Sequence, residues 1–157
     1  MTLLDTFLFD YAFSFILTET PASVVVFSFN ILNKDGGLVF HKEFSKAQRV
    51  DLRLASSFHV MSTIAVQISP VAKSSGIEEF VSEAFKLQCM QTRTGVKFYV
   101  ITDPAHPAPV LKALLQSAYE VYVDYVLKNP FHSLEQPIRC DKFDYLIEKL
   151  VSAAPTQ

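Results

Sequence analysis

The chain of 157 residues carries 14 basic and 16 acidic residues, and its lysines and arginines are scattered singly. Because nucleic-acid binding depends on clustered cations, this balance excludes nucleic acid as an expected partner. Half of the residues are hydrophobic, and 19% are charged, below the roughly 25% that is typical of soluble domains. We therefore expect one domain with a proper core, and we expect part of the apolar surplus to face another protein.

Residues 1–22 form an aromatic extension whose structure the sequence does not decide. The aromatic residues at positions 7–15 alternate as in a strand, but the apolar residues of the segment also fit a helical stripe. No basic residue precedes Lys34, and Asp5 and Asp10 interrupt the apolar run. This pattern fits neither a secretory signal nor a membrane span. A partner-binding arm, a segment folded on its own domain and a misplaced translation start all remain open.

The next elements are predicted to be a hairpin and a long helix. Ser23–Leu32 and Leu38–Phe44 read as strands, and the turn between them contains Asn33, Asp35 and two glycines. A helix is predicted from a cap at Ser45 to about Ile68. Its apolar positions recur at spacings of three and four: Val50, Leu54, Phe58, Met61, Ala65 and Ile68.

Three further strands and two helices follow in the predicted order. Ile77–Ser82 is a short strand beside a hairpin formed by Phe85–Thr92 and Val96–Thr102. A helix with Pro109 in its first turn then runs to Asn129, and a last helix begins near Asp141. The result is a mixed α/β (α+β) sandwich with a five-stranded antiparallel sheet, covered on both faces and built in the order ββαβββαα. It forms a single domain over residues 23–152, and residues 153–157 are expected to be a disordered tail.

Residues suited to catalysis or metal binding are not grouped in the sequence. The four histidines fall on a predicted strand, a helix and two loops, without a nucleophile motif nearby. We interpret His59 as a polar residue flanking the helix stripe and His106 as solvated. Cys89 and Cys140 lack ligand spacing and are expected to be free thiols in a reducing cytosol. We therefore predict no catalytic residue, no cofactor and no metal site.

Two features favour a protein interface. Tyr119, Tyr122 and Tyr125 share one side of a predicted helix, where either the core boundary or a partner explains them. The segment Asn129–Cys140 links two helices and carries three apolar residues that must either tuck beneath the loop or meet a partner. The candidate interface residues, with two arginines on the exposed side of the first helix, are Arg49, Arg53, Tyr119, Tyr122, Phe131, Leu134 and Ile138.

Several motifs resemble those of the synbindin family, the longin-fold subunit of the TRAPP vesicle-tethering complex. They extend over residues 24–151 and include Ser75-Gly76-Ile77, Phe85-Lys86-Leu87, Thr94-Gly95, Lys128-Asn129-Pro130-Phe131, Ser133-Leu134-Glu135 and Pro137-Ile138-Arg139-Cys140. The resemblance implies a longin/SNARE-like (profilin-like) fold and pairing with a second longin-type subunit. It also implies a joint, non-catalytic contribution to nucleotide exchange on a Rab GTPase in ER-to-Golgi transport. The expected location is cytoplasmic and peripheral at ER and cis-Golgi membranes, with membrane contact only through the complex.

Two other classes of protein stay open at the level of the residues. A different longin-type trafficking module, such as an adaptor small subunit or a SNARE regulator, would keep the same fold. A SNARE would need a heptad helix and an anchor after the domain, which the sequence up to Gln157 does not show. A small cytosolic thiol enzyme would have to use Cys89 or Cys140.

Overall fold

The computed structural model of the chain describes residues 25–45, 53–71, 74–133 and 135–153. Their order confirms the predicted ββαβββαα arrangement, while the extension at residues 1–22 and most of the predicted start of the first helix lie outside these ranges. The elements are β1 Val26–Leu32, β2 Leu38–Glu43, α1 Arg53–Ile68, β3 Glu79–Val81, β4 Lys86–Gln91, β5 Lys97–Thr102, α2 Ala108–Tyr122 with a π-helical turn at Val123–Leu127, and α3 Asp141–Ala153.

The five strands form one antiparallel sheet in the order β2-β1-β5-β4-β3. The central pairing joins β1 to β5, with Phe29 opposite Val100 and Ile31 opposite Phe98. The two hairpins, β1–β2 and β4–β5, therefore meet through strands that are distant in sequence. This pairing leaves β2 and β3 as the two edge strands of the sheet.

The turn of the first hairpin is fixed by Asn33 and Gly36. The Asn33 Oδ1 accepts hydrogen bonds from the backbone N–H groups of Asp35 (3.1 Å) and Gly37 (2.7 Å). Gly36 has a φ of +87°, a conformation that residues with a side chain rarely adopt. A Cβ atom on Gly36 would lie 2.5 Å from the Cγ of His59 on α1. The turn therefore packs directly against the first helix.

The larger part of the core lies between the sheet and the pair α2 and α3. The strands alternate as predicted, so that Phe98 and Val100 face this side while Tyr99 and Ile101 face α1. Phe98 is completely buried, and its ring lies edge-on to Tyr122 at 5.1 Å and to Tyr119 at 5.9 Å between centroids. These aromatic contacts hold α2 to the centre of the sheet.

The contact between α1 and the sheet is smaller and more polar. Among the described residues, this face has a cluster of eight buried apolar side chains, whereas the α2–α3 side has nineteen. Only Ala55, Phe58 and Ser62 of the described part of α1 are buried. Ser28 and Asn30 of β1 alternate with Phe29 and Ile31, so they face the α1 side and are also buried. The first helix is consequently held by a narrow strip of side chains.

A lysine and a histidine add a polar link between α1 and the sheet. The buried Lys97 ammonium of β5 donates to the Nδ1 of His59 at 3.3 Å. Burial lowers the pKa of His59, and the charge of Lys97 lowers it further, while Asp35 acts in the opposite direction. His59 is therefore a neutral partner of Lys97 at neutral pH. This agrees with its interpretation as a polar residue beside the helix stripe.

The prediction that His106 is solvated is wrong. Its side chain is only 5% exposed, and its backbone oxygen accepts a hydrogen bond from the buried Lys86 ammonium at 3.0 Å. Asp103 shapes the turn before His106, since its Oδ1 accepts a hydrogen bond from the backbone N–H of Ala105 at 3.0 Å. This turn carries the chain from β5 back over the sheet and buries the imidazole as it does so.

We expect Phe98→Ala to destabilise the domain by about 3–5 kcal/mol, because it empties a fully buried position between β5 and α2. Chemical denaturation followed by circular dichroism measures this change. Phe131→Ala is a matched control, since that ring is 92% exposed and its removal should change the free energy of unfolding by less than about 0.5 kcal/mol. Equal losses for the two variants would contradict this picture of the core.

The pKa of His59 predicts a pH dependence of stability. Because the folded state binds the imidazole proton more weakly than the unfolded chain, the stabilisation is complete above pH 6.5. It is lost as the pH falls through the lowered folded pKa. Thermal unfolding of the wild type and of His59→Gln between pH 5 and 7.5 measures the effect. The wild type should lose more stability at low pH than the variant, and parallel curves would refute the assignment.

Candidate functional site

A second apolar face on α1 points away from the sheet. Its residues, termed the α1 outer face, are Val60, Met61, Ile64 and Ile68, and they are between 44% and 76% exposed. The spacing 61, 64, 68 places three of them in one stripe along the helix. The predicted single stripe is therefore split, since Phe58 packs on the sheet whereas Met61 and Ile68 are exposed. Contiguous apolar exposure of this kind is typical of a protein interface.

Strand β3 borders the same side of the molecule. It contains only three residues, all of them exposed, and it pairs with β4 on one side alone. Phe80 lies opposite Leu87, which packs under α1, so Phe80 also faces that side. The segment before β3 passes close to α1, because a Cβ on Gly76 would lie 2.7 Å from the Ser62 Oγ. The α1 outer face and Phe80 of β3 therefore lie on the same side of the sheet.

Charged residues at the β3 edge disfavour its pairing with other strands. The Lys86 ammonium lies 2.6 Å from the Glu79 carboxylate, and Lys112 lies 3.7 Å from Glu78. Both glutamates are therefore paired with lysines of the same domain. Short, charged edge strands of this type discourage unspecific strand pairing.

The candidate residues on the helices divide into exposed and buried positions. Arg53 is exposed at the start of the described part of α1, and Arg49 lies outside the described residues. Tyr119 is half-buried against Phe98, and Tyr122 is buried at 3% exposure. Tyr122 belongs to the core and is removed from the candidate interface.

The loop between the last helices sends its apolar residues in different directions. Ile138 packs against the main core, and its backbone N–H donates to the Val39 oxygen at 2.8 Å. Phe131 is 92% exposed. Leu134 lies outside the described residues. The sequence left open whether these residues tuck beneath the loop or meet a partner. Ile138 is tucked beneath the loop, whereas Phe131 is exposed and available to a partner.

A cavity of about 300 Å³ lies between β4, α2 and the segment before β3. Its lining includes Cys89, Met90 and Leu115, with Lys112 and Glu78 at the same site, and no histidine occurs among the described residues that line it. Burial raises the pKa of the Cys89 thiol to about 12. Because a thiolate is the reactive form of cysteine, this environment argues against Cys89 as a nucleophile.

Metal binding and membrane spanning are two further properties for which the described residues give an answer. Within the ranges that the structure describes, no three or more histidine, cysteine or acidic side chains come together as a possible metal site. No helix in the same ranges is both long enough and apolar enough to cross a membrane.

Comparison with known proteins shows the family to which the chain belongs. The sequence pattern of the Sybindin-like family matches residues 26–154. The chain belongs to the Sybindin-like family. A relative from Dictyostelium discoideum, "Trafficking protein particle complex subunit 4", is 50% identical over 129 residues, which cover 79% of this chain and 94% of the relative. The synbindin resemblance of the sequence is therefore confirmed.

Other relatives of this Sybindin-like chain differ in length and distance. The Homo sapiens protein of the same name is 48% identical over 103 residues, and these cover 66% of this chain but 46% of the human protein. "Trafficking protein particle complex subunit 1" from Dictyostelium discoideum is 25% identical over 128 residues, covering 76% of this chain and 89% of the relative. The names of these relatives support a role as a subunit of a multi-subunit complex.

Among solved structures, the gliding protein MglB from Thermus thermophilus is similar to the Sybindin-like chain with a TM-score of 0.48. The sequences are 16% identical, and the match covers 70% of this chain and 90% of that chain. The architecture of the domain itself, a five-stranded antiparallel sheet with helices on both faces, is the predicted longin-like one.

The α1 outer face was missed from the sequence, although a signal for it was present. The segment from Val60 to Ile68 places apolar residues on more than one side of the helix. Such a helix has a second face to bury, and a small domain with a single sheet cannot cover both. Assigning every apolar position to the core hid the exposure of this face.

The environment of the two cysteines predicts unequal reactivity. In the native protein at pH 7.5, Cys140 is half-buried and should react with a disulfide reagent, whereas buried Cys89 should react only after unfolding. Cys140→Ser should therefore remove the fast reaction, and Cys89→Ser should leave it in place. Spectrophotometric thiol titration of both variants measures this, and fast labelling of Cys140→Ser would restore Cys89 as a candidate nucleophile.

Proposed function

We propose that this chain is a non-catalytic subunit of the TRAPP tethering complex. In this role it assembles with other subunits and contributes to Rab GTPase nucleotide exchange in ER-to-Golgi vesicle transport. The observation that carries the proposal is the exposed apolar α1 outer face, with Phe80 of β3 on the same side of the sheet, in a domain of the Sybindin-like family. A surface built from exposed isoleucine, methionine and valine side chains binds another protein and provides no reactive group.

The partner at this surface is a second longin-type subunit. Relatives of this chain include both subunit 4 and subunit 1 of the same named complex, and the similarity to subunit 1 extends over 76% of this chain. A related domain would present its own first helix and edge strand. Two such apolar helices can pack side by side, with β3 close enough for limited strand pairing. This arrangement would bury Ile64 and Ile68 of this chain against the first helix of the partner.

Exchange of nucleotide would be a property of the assembled complex. A complex accelerates GDP release when it binds the nucleotide-free GTPase more tightly than the loaded form. The chain contributes by holding its partner in a fixed orientation, since α1 is anchored on the sheet through Phe58 and the Lys97–His59 contact. We place the protein in the cytoplasm, peripheral at ER and cis-Golgi membranes, with membrane contact made through the complex. Fractionation of the tagged chain from cells tests this location.

Negative charge on the α1 outer face should prevent assembly. We expect Met61→Glu combined with Ile64→Glu to weaken binding of TRAPP subunit 1 by at least about 10-fold, because the carboxylates would lose water in an apolar interface. Isothermal titration calorimetry with purified subunits measures the affinity. Both positions are substantially exposed, so thermal unfolding of the variant should stay close to that of the wild type.

Matched variants separate apolar contact from charge. Met61→Leu retains the apolar surface and should bind normally, whereas Ser152→Glu adds a carboxylate on α3, on the opposite face of the sheet, and should leave subunit 1 binding unchanged. Arg53→Glu tests the arginine predicted from the sequence and should weaken binding less than the double variant. Normal binding by a folded double variant would refute the proposed partner surface.

The same reconstituted complexes test the exchange function. The isolated chain should leave the release of fluorescent GDP from the Rab GTPase at its intrinsic rate. The complex with the wild-type chain should accelerate release, and the double variant should lose this acceleration together with assembly. A complex that exchanges nucleotide equally well without the chain would remove exchange from the proposed function.

A further inference from the structure

Phe131 stands at the tip of an ordered turn. Asn129, Pro130 and Phe131 follow Lys128, which caps the π-helical end of α2 and whose N–H donates to the Val123 oxygen at 3.2 Å. The Asn129 Oδ1 accepts a hydrogen bond from the Phe131 N–H at 3.1 Å, and the Asn129 oxygen accepts one from the His132 N–H at 3.2 Å. These bonds and the fixed φ of Pro130 hold the turn in one conformation.

We propose that Phe131 is an anchor residue that inserts into an apolar pocket of a second partner protein. This partner is a subunit of the complex other than the one at the α1 outer face, so the inference rests on the proposed function. The ring is 92% exposed, the most exposed large apolar side chain in the described chain. Presentation on a preordered turn lowers the entropy lost on binding, as is typical of anchor residues.

The projecting ring of Phe131 requires a concave binding site on its partner. A single ring that projects from a convex turn gains little from a flat helix or strand, because most of its surface would stay in water. A concave pocket lined by apolar side chains would bury the whole ring. Aromatic anchors filling such pockets account for much of the affinity at protein interfaces. The partner is therefore a protein with an apolar pocket the size of a phenyl ring.

The charges around the turn favour an apolar, salt-insensitive contact. Between residues 124 and 142 the chain has three acidic and three basic residues, which balance each other. The Lys128 ammonium already lies 2.5 Å from the Asp124 carboxylate, four residues earlier on the same helical segment. This neighbourhood offers no strong field of one sign to a nucleic acid or a membrane surface. A neutral protein pocket fits it best.

The position of the turn separates this partner from the first one. Phe131 lies in the connection between α2 and α3, which pack on the sheet face opposite α1. One compact subunit cannot cover the α1 outer face and this turn at the same time without wrapping around the sheet. The chain would thus connect two neighbours, with an extended apolar surface on one side and a single anchor on the other.

A second copy of this chain is a less suitable partner. Its cavity of about 300 Å³ beside β4 could hold a ring, but its rim carries the paired charges of Lys112 and Glu78. Insertion of a turn from one copy into a different site on the next is a heterologous contact, which generates rings or open chains of copies. Concentration-dependent growth of the isolated chain would reveal that arrangement and would overturn the proposed partner.

The experiment uses the complete reconstituted complex. A photoreactive benzophenone amino acid replaces Phe131 in one preparation and Ile64 in another, and irradiation followed by mass spectrometry identifies the crosslinked subunit. We expect position 131 to crosslink one subunit and position 64 to crosslink a different one. The same probe at exposed Gln136 is the control for accidental proximity.

Binding measurements complete the test. Phe131→Ala should weaken binding of the subunit crosslinked from position 131 by at least about 10-fold and leave the partner of the α1 outer face unaffected. Asn129→Ala should cause a smaller loss, because it loosens the turn and keeps the ring. Unchanged affinity for Phe131→Ala, or the same crosslinks from positions 131 and 136, would overturn the inference. The proposed function would then still stand on the α1 outer face, whose failure is detected separately by the Met61→Glu and Ile64→Glu variant.

Discussion

The antiparallel pairing of β1 with β5 is the constraint on which the domain depends. It joins two hairpins that are far apart in sequence, and it places Phe29 and Phe98 next to each other on one face of the sheet. Each hairpin alone would leave both of its faces in water, and isolated hairpins are marginally stable. Only the joined sheet is wide enough to receive α1 on one side and the pair α2 and α3 on the other. Every functional surface of the molecule is positioned by that layer order.

The two sides of the sheet differ in how completely their apolar residues are buried. The α2–α3 side is packed with aromatic and aliphatic side chains and holds most of the buried apolar residues of the described chain. The α1 side is thinner, with buried polar residues beneath the helix and an apolar stripe on its outer surface. The domain therefore has one side whose apolar residues are mostly buried and another that leaves an apolar stripe exposed.

The sequence was sufficient for the fold because the strands alternate regularly and the turns carry glycine, asparagine and proline at the required positions. It was less informative about the site. Periodicity shows that α1 has apolar residues, but it does not show whether Phe58 or Met61 faces the sheet. That choice depends on which side chains fit above β1, β4 and β5. The burial of His106 escaped notice for the same reason, since the route of a loop over a sheet is a tertiary property. The sequence left Phe131 either tucked beneath its loop or exposed, and only the exposure of the ring in the fold decides between the two.

The closeness of Gly36 to His59 limits the substitutions that position 36 can accept. Position 36 is a surface turn by any inspection of the sequence, and such positions normally tolerate variation. Here a side chain would strain the turn and also displace the imidazole that touches Lys97. The displacement would be transmitted to α1, so a substitution in the hairpin turn would disturb how the first helix packs on the sheet.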